Sequence, residues 1–267
     1  MLQVKSKTLV SIITPSWNSE AFLEQTILSV INQAYKNVEH IIVDGGSTDG
    51  TLEIVRKYEK NITHWISEPD EGMYQAINKG MVCAKGQIVA YLNSDDLYYP
   101  NTISKIVDLF NAHADVDLIY GNLDFISEDK KRLFTQKYPR FNWERFVSSE
   151  YALIGQPAAF WRRELAKKTG PFDETMRMAA DFDFFIRAGA AGRTMHVDDV
   201  LAAFRVHPKS LTSSQIALGK EEVVRIHSIY LSNSVLRRRL VAFVSDVLFK
   251  AKNWQAILVK CVAALRK

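Results

Sequence analysis

Cysteine is nearly absent from this chain. Cys83 and Cys261 are the only two in 267 residues, far apart and in neither a metal-ligand nor a redox spacing, which argues against a disulfide framework and against thiol chemistry. Long hydrophobic runs are missing too. No uncharged apolar stretch reaches the length of about 18 residues that spans a bilayer, and the amino terminus lacks the apolar core of a secretory signal, so a cytoplasmic protein is expected. There is no internal repeat and no low-complexity tract. An excess of one charge is also lacking: 34 Lys and Arg against 30 Asp and Glu leave a net +4, and no nucleic-acid partner is expected. What is present is an ordinary globular composition, 47% hydrophobic, enough for one large α/β domain with an appendage.

Strand-like apolar runs alternate with helix-like segments, the pattern of βαβ units and a mainly parallel sheet. Leu9 to Thr14 reads as a strand that stops at Pro15, and an apolar-periodic helix follows through Phe22, Ile27, Val30 and Ile31. Glu39 to Val43 is a second strand ending on Asp44, with the turn Gly45 to Gly50 leading into a helix near Thr51. Ile62 to Ile66 is a weaker third strand, followed by a helix from Met73 to Cys83. Gln87 to Leu92 is the fourth. The catalytic domain is expected over residues 1–218, with a helical region over 219–267.

The fourth strand releases Asn93-Ser94-Asp95-Asp96. Carboxylates at the carboxyl end of a buried strand stand where open α/β sheets bind ligands, and they suit a hard divalent cation carrying phosphates. A Ser/Asp-rich turn ahead of a helix near Pro100 explains the same tetrapeptide without chemistry. The neighbouring strand ends separate the two readings.

Four segments in order resemble the inverting nucleotide-sugar glycosyltransferases of family 2, which have the GT-A fold, over roughly residues 8 to 212. Ser11 to Asn18 is similar to the family's opening strand and its Pro-x-Tyr-Asn loop. The resemblance implies that Pro15 and Trp17 border the nucleobase, with Trp17 in place of the usual Tyr and keeping a stacking surface. Val43-Asp44-Gly45-Gly46-Ser47-Thr48-Asp49-Gly50-Thr51 is close to Asp-x-x-Ser-x-Asp-Gly-Thr. It implies that Asp44 accepts a hydrogen bond from the base, and Asp49 reads more simply as a helix cap. Ser67 to Gly80 resembles members that assemble bacterial surface polysaccharides. Lys79 and Asn78 fall where a nucleotide contact is implied, although Asn78-Lys79-Gly80 also reads as a helix end with Gly80 at C′. Asn93 to Asp96 then corresponds to the Asp-x-Asp motif. Asp95 is the implied metal ligand, Asn93 and Ser94 lie along the donor, and Mn²⁺ or Mg²⁺ is the implied cofactor.

The segment Gly170 to Glu174 with Met178 to Arg187 is similar to the family's Gly-x-Phe-Asp-Glu and Glu-Asp-x-Asp. Asp181 takes the position of the catalytic base, with Ala180 where the family has Glu; on the residues alone, Asp181 is a helix cap and Asp183 a first-turn acid. Gln156 to Trp161 is similar to an acceptor-side segment. In the loop Val206 to Ser213, His207 is a candidate metal or phosphate ligand, and Arg205 or Lys209 a candidate clamp on the diphosphate. The Gln-x-x-Arg-Trp of processive synthases is absent, so one sugar per event is expected.

The resemblance therefore implies a metal-dependent transfer of a hexosyl or N-acetylhexosaminyl unit, from a UDP-linked donor to a hydroxyl of a lipid-linked saccharide in polysaccharide, O-antigen or exopolysaccharide biosynthesis. A sugar-1-phosphate nucleotidyltransferase is the alternative enzyme, but it would want a glycine-rich first loop, and Thr14 to Asn18 has no glycine. A nucleotide-sugar-binding scaffold without turnover is the non-enzymatic alternative. From Lys220 onward ten Lys and Arg face three acids, and an apolar stripe of helical spacing runs from Leu236 to Leu265. Two readings fit this basic amphipathic region: a peripheral anchor on an anionic membrane surface, and a hairpin packed on the domain or on a second copy in a homodimer.

Overall fold

The computed structural model describes residues 7–149, 152–231, 247 and 249–253. Strands β1 (Val10–Ser16), β2 (Val38–Asp44), β3 (His64–Ser67) and β4 (Ile88–Tyr91) alternate with helices α1 (Leu23–Ile31), α2 (Thr51–Lys57) and α3 (Met73–Cys83). Short β5 (Leu97–Tyr98) and helix α4 (Thr102–Ala112) come next, then β6 (Leu118–Ile126), β7 (Arg132–Gln136), α5 (Trp143–Val147), β8 (Ala159–Arg162) and α6 (Arg163–Thr169). The described chain continues through α7 (Ala180–Ala191), β9 (Thr194–Arg205), α8 (Leu211–Ser214) and α9 (Ile216–Tyr230).

The strands form one sheet in the order β3-β2-β1-β4-β8-β6-β9-β5, with β7 beside β6. The half read from the sequence is parallel: β3, β2, β1 and β4 run the same way. On the other side β8 is antiparallel to both β4 and β6, while β6 and β9 are parallel. This mixed sheet flanked by helices is the GT-A fold. A parallel sheet covered on both faces needs near-continuous apolar strands, and β1 and β4 are buried along their whole length.

Helix α3 lies on this sheet. Gly80 sits inside it rather than after its end, because the helix continues to Cys83. A Cβ at Gly80 would come within 2.4 Å of the Ile13 side chain on β1, so glycine here lets helix and strand approach closely. Beneath α7 the core is aromatic: Phe172 stacks on Phe184 at 4.4 Å, and Trp161 lies 5.1 Å from Phe184.

Helix α9 runs across the boundary expected at residues 218 and 219, and its Ile226 is fully buried in the main core. Further on, Asn253 takes the place of a strand partner: its side chain accepts from Lys137 N–H at 2.7 Å and donates to Lys137 C=O at 2.9 Å. Lys252 Nζ donates to Tyr138 C=O at 2.6 Å. Of the expected apolar stripe, only Val247 and Ala251 fall among the described residues, both in helix; Leu236, Leu240, Phe243 and everything from Trp254 onward lie outside them. Among the described residues no helix is long and apolar enough to cross a membrane.

Candidate active site

Because β1 to β4 are parallel, their carboxyl ends open onto one edge of the sheet, where ligands bind in such sheets. Register fixes which residues meet there: Ser16 lies beside Asp44, and Asp44 beside Ser67. The loops after β1 and β2 are sewn together. Asn18, at φ +47°, accepts from Thr48 N–H at 2.9 Å through its side chain and donates from its backbone to Ser47 Oγ at 2.8 Å. Asp49 accepts from Glu20 N–H and from Thr51 N–H at the start of α2, as a capping acid does.

Asp44 is almost wholly buried. Its Oδ2 accepts from Gly46 N–H, Ser47 N–H and Ser67 Oγ at 3.1, 3.0 and 2.7 Å, while Oδ1 accepts from the Ser47 hydroxyl. A carboxylate offers about four lone-pair positions spread over two oxygens, so Oδ1 keeps acceptor capacity and Oδ2 has none left. Asp70 crowds the same loop: a Cβ at Gly45 would lie 2.7 Å from its Oδ2, and burial raises its carboxyl. Pro15 is a buried strand residue opposite Val43, whereas the Trp17 ring is 67% exposed at the mouth of the site. Lys79 forms an ion pair with Glu68 at 2.8 Å. Asn78 is turned elsewhere; its amide donates to Phe172 C=O at 2.9 Å and accepts from Phe172 N–H at 3.0 Å, clamping α3 to the segment before α7.

After β4, Ser94 Oγ meets Ser19 Oγ at 2.8 Å. Asp95 Oδ2 stands 2.9 Å from His207 Nε2, and the His207 ring lies 4.8 Å from that of Phe22. The two candidate metal ligands thus meet across 112 residues. Asp96 is fully buried, accepts from Arg205 N–H at 2.9 Å, and is raised well above the usual carboxylate range by burial and by neighbouring Asp95. Arg205 is no open clamp: its side chain has no exposed surface and donates to the carbonyls of Asp95 and Glu128 and to Gln25 Oε1 at 2.8, 2.5 and 3.0 Å. It braces the loop that carries Asp95. Asn93 Nδ2 lies 3.5 Å from Asp96 Oδ2 and from Gln156 Oε1, and Asn93 Oδ1 is buried without a partner.

Asp95 and His207 fit a divalent cation that takes few protein ligands and completes its shell with phosphate and water oxygens. No group of three or more His, Cys, Asp or Glu able to hold a metal occurs among the described residues.

Asp181 lies in the first turn of α7. Its Oδ1 accepts from Tyr74 Oη at 3.2 Å and from Phe182 N–H at 2.8 Å. Burial pushes its carboxyl up to about 6, against these hydrogen bonds. Just ahead of the helix, Glu222 of α9 takes the N–H groups of Arg177, Met178 and Ala179. Asp183 has a structural role, paired with Arg187 at 2.8 Å and accepting from Tyr230 Oη at 2.7 Å. Tyr74 and Gln156 lie within segments that resemble the family without a role of their own there, and Glu222 carries no motif. Only the folded chain puts them at the site.

Such an edge, with a carboxylate and imidazole on one side and a buried, raised carboxylate on the other, defines a group-transfer enzyme of the GT-A type. The chain belongs to glycosyl transferase family 2, whose model matches residues 11–170. An uncharacterized glycosyltransferase of Rickettsia typhi is 31% identical over 222 residues, covering 81% of this chain and 70% of its own. A PGL/p-HBAD biosynthesis glycosyltransferase of Mycobacterium bovis is 31% identical over 201 residues, covering 71% and 74%. Among solved structures, S. aureus TarS 1-349 in complex with UDP-GlcNAc superposes with a TM-score of 0.68 at 20% identity, over 87% of this chain and 69% of that one. The mannosyltransferase PcManGT from Pyrobaculum calidifontis, in complex with GDP-Man and Mn²⁺, gives 0.66 at 18% identity, over 98% and 77%. This chain spans 41% of the longer TarS chain.

Proposed function

We propose that this glycosyltransferase moves one hexosyl or N-acetylhexosaminyl unit, with inversion, from a UDP-linked donor to a hydroxyl of a lipid-linked saccharide in surface-polysaccharide assembly. The observation that carries the reading is Asp181, a carboxylate raised to about 6 by burial, which suits a general base working near neutral pH. Tyr91, at the end of β4, interacts with the charge of both Asp181 and Asp96, which supports reading the base and the Asp95 loop as one site.

In this mechanism Asp44 Oδ1 and the Trp17 ring receive the base, and Asn93 and Ser94 border the donor. Asp95 and His207 would hold Mn²⁺ or Mg²⁺, which when bound supplies charge neutralisation for the departing diphosphate. Asp181 takes the acceptor proton as the hydroxyl oxygen bonds to the anomeric carbon and the bond from that carbon to the diphosphate oxygen breaks on the opposite face. The UDP-GlcNAc bound by TarS and the GDP-Man and Mn²⁺ bound by PcManGT support a nucleotide-sugar donor and a divalent ion. The mycobacterial relative's biosynthetic role supports a glycolipid or polysaccharide product. The basic region beyond residue 231 would hold the enzyme at the anionic membrane surface where a lipid-linked acceptor resides.

A thermal-shift screen with UDP-, GDP- and dTDP-sugars, with Mn²⁺ and again with EDTA, tests the reading. UDP-sugars are expected to stabilise the protein in a metal-dependent way, and Asp95→Ala to lose both that dependence and turnover. Stabilisation by GDP-sugars alone would overturn the UDP assignment, and turnover undiminished by EDTA would overturn the metal role.

A further inference from the structure

Helix α7 begins with a backbone turn whose N–H groups have no partner within the helix, as every helix start does. Those of Asp181 and Phe182 meet Tyr74 Oη and the Asp181 carboxylate, and the amides just ahead of the helix are met by a residue from far along the chain. Glu222 of α9 is buried, 7% exposed, and its Oε1 accepts from Arg177 N–H at 2.6 Å while Oε2 accepts from Met178 and Ala179 N–H at 2.8 Å each. Three charge-assisted bonds to consecutive amides fix the path of the chain two residues before Asp181. The grip continues along α9: Arg225 approaches Asp173 at 3.7 Å, His227 meets Ser149 C=O at 3.1 Å and Tyr230 donates to Asp183.

On this basis, and resting on Asp181 as the base, we infer that Glu222 is the positioning residue of the reaction: its grip on the three amides ahead of α7 holds the Asp181 carboxylate in place.

Glu222 also reaches the Asp181 carboxyl through charge. Tyr74 of α3, Tyr91 of β4 and Tyr138 after β7 all interact with the Asp181 charge, and burial raises each phenol above its ordinary value, so all three are uncharged near neutral pH. Glu222 is the charged group acting on Asp181, and a like charge disfavours ionisation. Burial supplies most of the rise in Asp181, and Glu222 adds to it.

The test follows the Asp181 carboxyl directly, by ¹³C NMR of the full chain with labelled aspartate, its resonance identified by loss in Asp181→Asn. Wild type is expected to titrate near 6, and Glu222→Gln at a lower pH. With UDP-N-acetylglucosamine and Mn²⁺ as the probe, donor hydrolysis by Glu222→Gln is expected to lose kcat by roughly a hundredfold as the base is displaced, with donor KM unchanged. Glu222→Asp keeps the charge but draws it back by a methylene, and should fall between wild type and Glu222→Gln in both measurements. An unchanged Asp181 midpoint in Glu222→Gln would overturn the inference, as would a rate loss that merely tracks unfolded protein. Should Glu222→Gln not fold, Glu222→Asp decides alone, and a wild-type midpoint and rate in it overturn the inference. Failure of the base assignment has a separate sign, an Asp181→Asn enzyme that turns over like wild type.

Discussion

At the scale of single residues, Asp181 shows how one side chain can satisfy two descriptions until its partners are known. Near a helix start, Asp and Asn cap about equally well, so a capping Asp181 would tolerate Asn. In the folded chain the preceding amides belong to Glu222, and Asp181 accepts from both Phe182 N–H and Tyr74 Oη. Asp181→Asn is therefore expected to keep donor affinity and to lose transfer by roughly a hundred- to ten-thousand-fold. Donor Kd and single-turnover rate on that variant check this, and a near-wild-type rate would return Asp181 to a structural role. The pH profile follows with its sign. A base must be deprotonated to act, so kcat/KM should fall on the acid side with a midpoint near 6 and rise to a plateau toward pH 8. The His207 side chain, 10% exposed and against Asp95, belongs to the other half: His207→Ala should raise the Mn²⁺ concentration needed for half-maximal activity while leaving metal-free folding intact.

Elements meet through positions where one residue type is forced by a neighbour. Gly80 is the clearest, since a Cβ there would press on Ile13 and neither a β-strand in the middle of a sheet nor the helix above it can retreat freely. Overpacking of this kind typically costs about 1–3 kcal/mol, more than the small gain in helix propensity from Gly to Ala. Gly80→Ala should lower the urea midpoint by a corresponding amount with no change in slope, and a more stable variant would mean that α3 slides on the sheet. The boundaries of α3 were legible in the sequence because apolar periodicity marks a helix whatever it packs on. The position of Gly80 within it was not, because a glycine before the end of a periodic run looks the same as one at C′. Strands β6, β7 and β9 were not legible either: their partners are antiparallel or distant, and no βαβ spacing announces them.

Across the whole molecule, buried polar groups tie stability to pH. His40 lies in β2, 2% exposed, with Nε2 2.9 Å from Thr14 Oγ1 and Nδ1 without a partner. Burial depresses it from 6.5 to about 4. Below pH 6.5 the unfolded chain takes up a proton that the folded chain refuses, so stability falls as the pH drops from 6.5 toward 4, by about 2 kcal/mol at pH 5 from this residue. Chemical denaturation at pH 7.5 and pH 5, compared with His40→Asn, isolates the contribution; an identical loss in both proteins would assign it elsewhere. The basic region carries a prediction at the same scale. Removing residues from about 233 onward should release the enzyme from vesicles rich in anionic lipid without abolishing donor hydrolysis, whereas loss of a dimer on truncation would favour contact with a second copy.

The sequence by itself determined the parallel half of the sheet and the edge on which chemistry occurs. Continuous apolar strands can only be buried, and acids placed just after them must emerge where those strands end. Asp44 and Asp95 were visible for that reason, and Asp181 through the resemblance of its segment to the family. Only the tertiary structure decided what each acid touches, because its surroundings are set by partners more than a hundred residues away or by burial. His207 reaches Asp95, Tyr74 reaches Asp181, and Arg205 disappears beneath the loop it supports. Burial raises Asp181 and no neighbour in sequence can report it. Glu222, one acid in an unremarkable helix by its spacing, acquires its role from three amides that come to it only when α9 folds back onto α7.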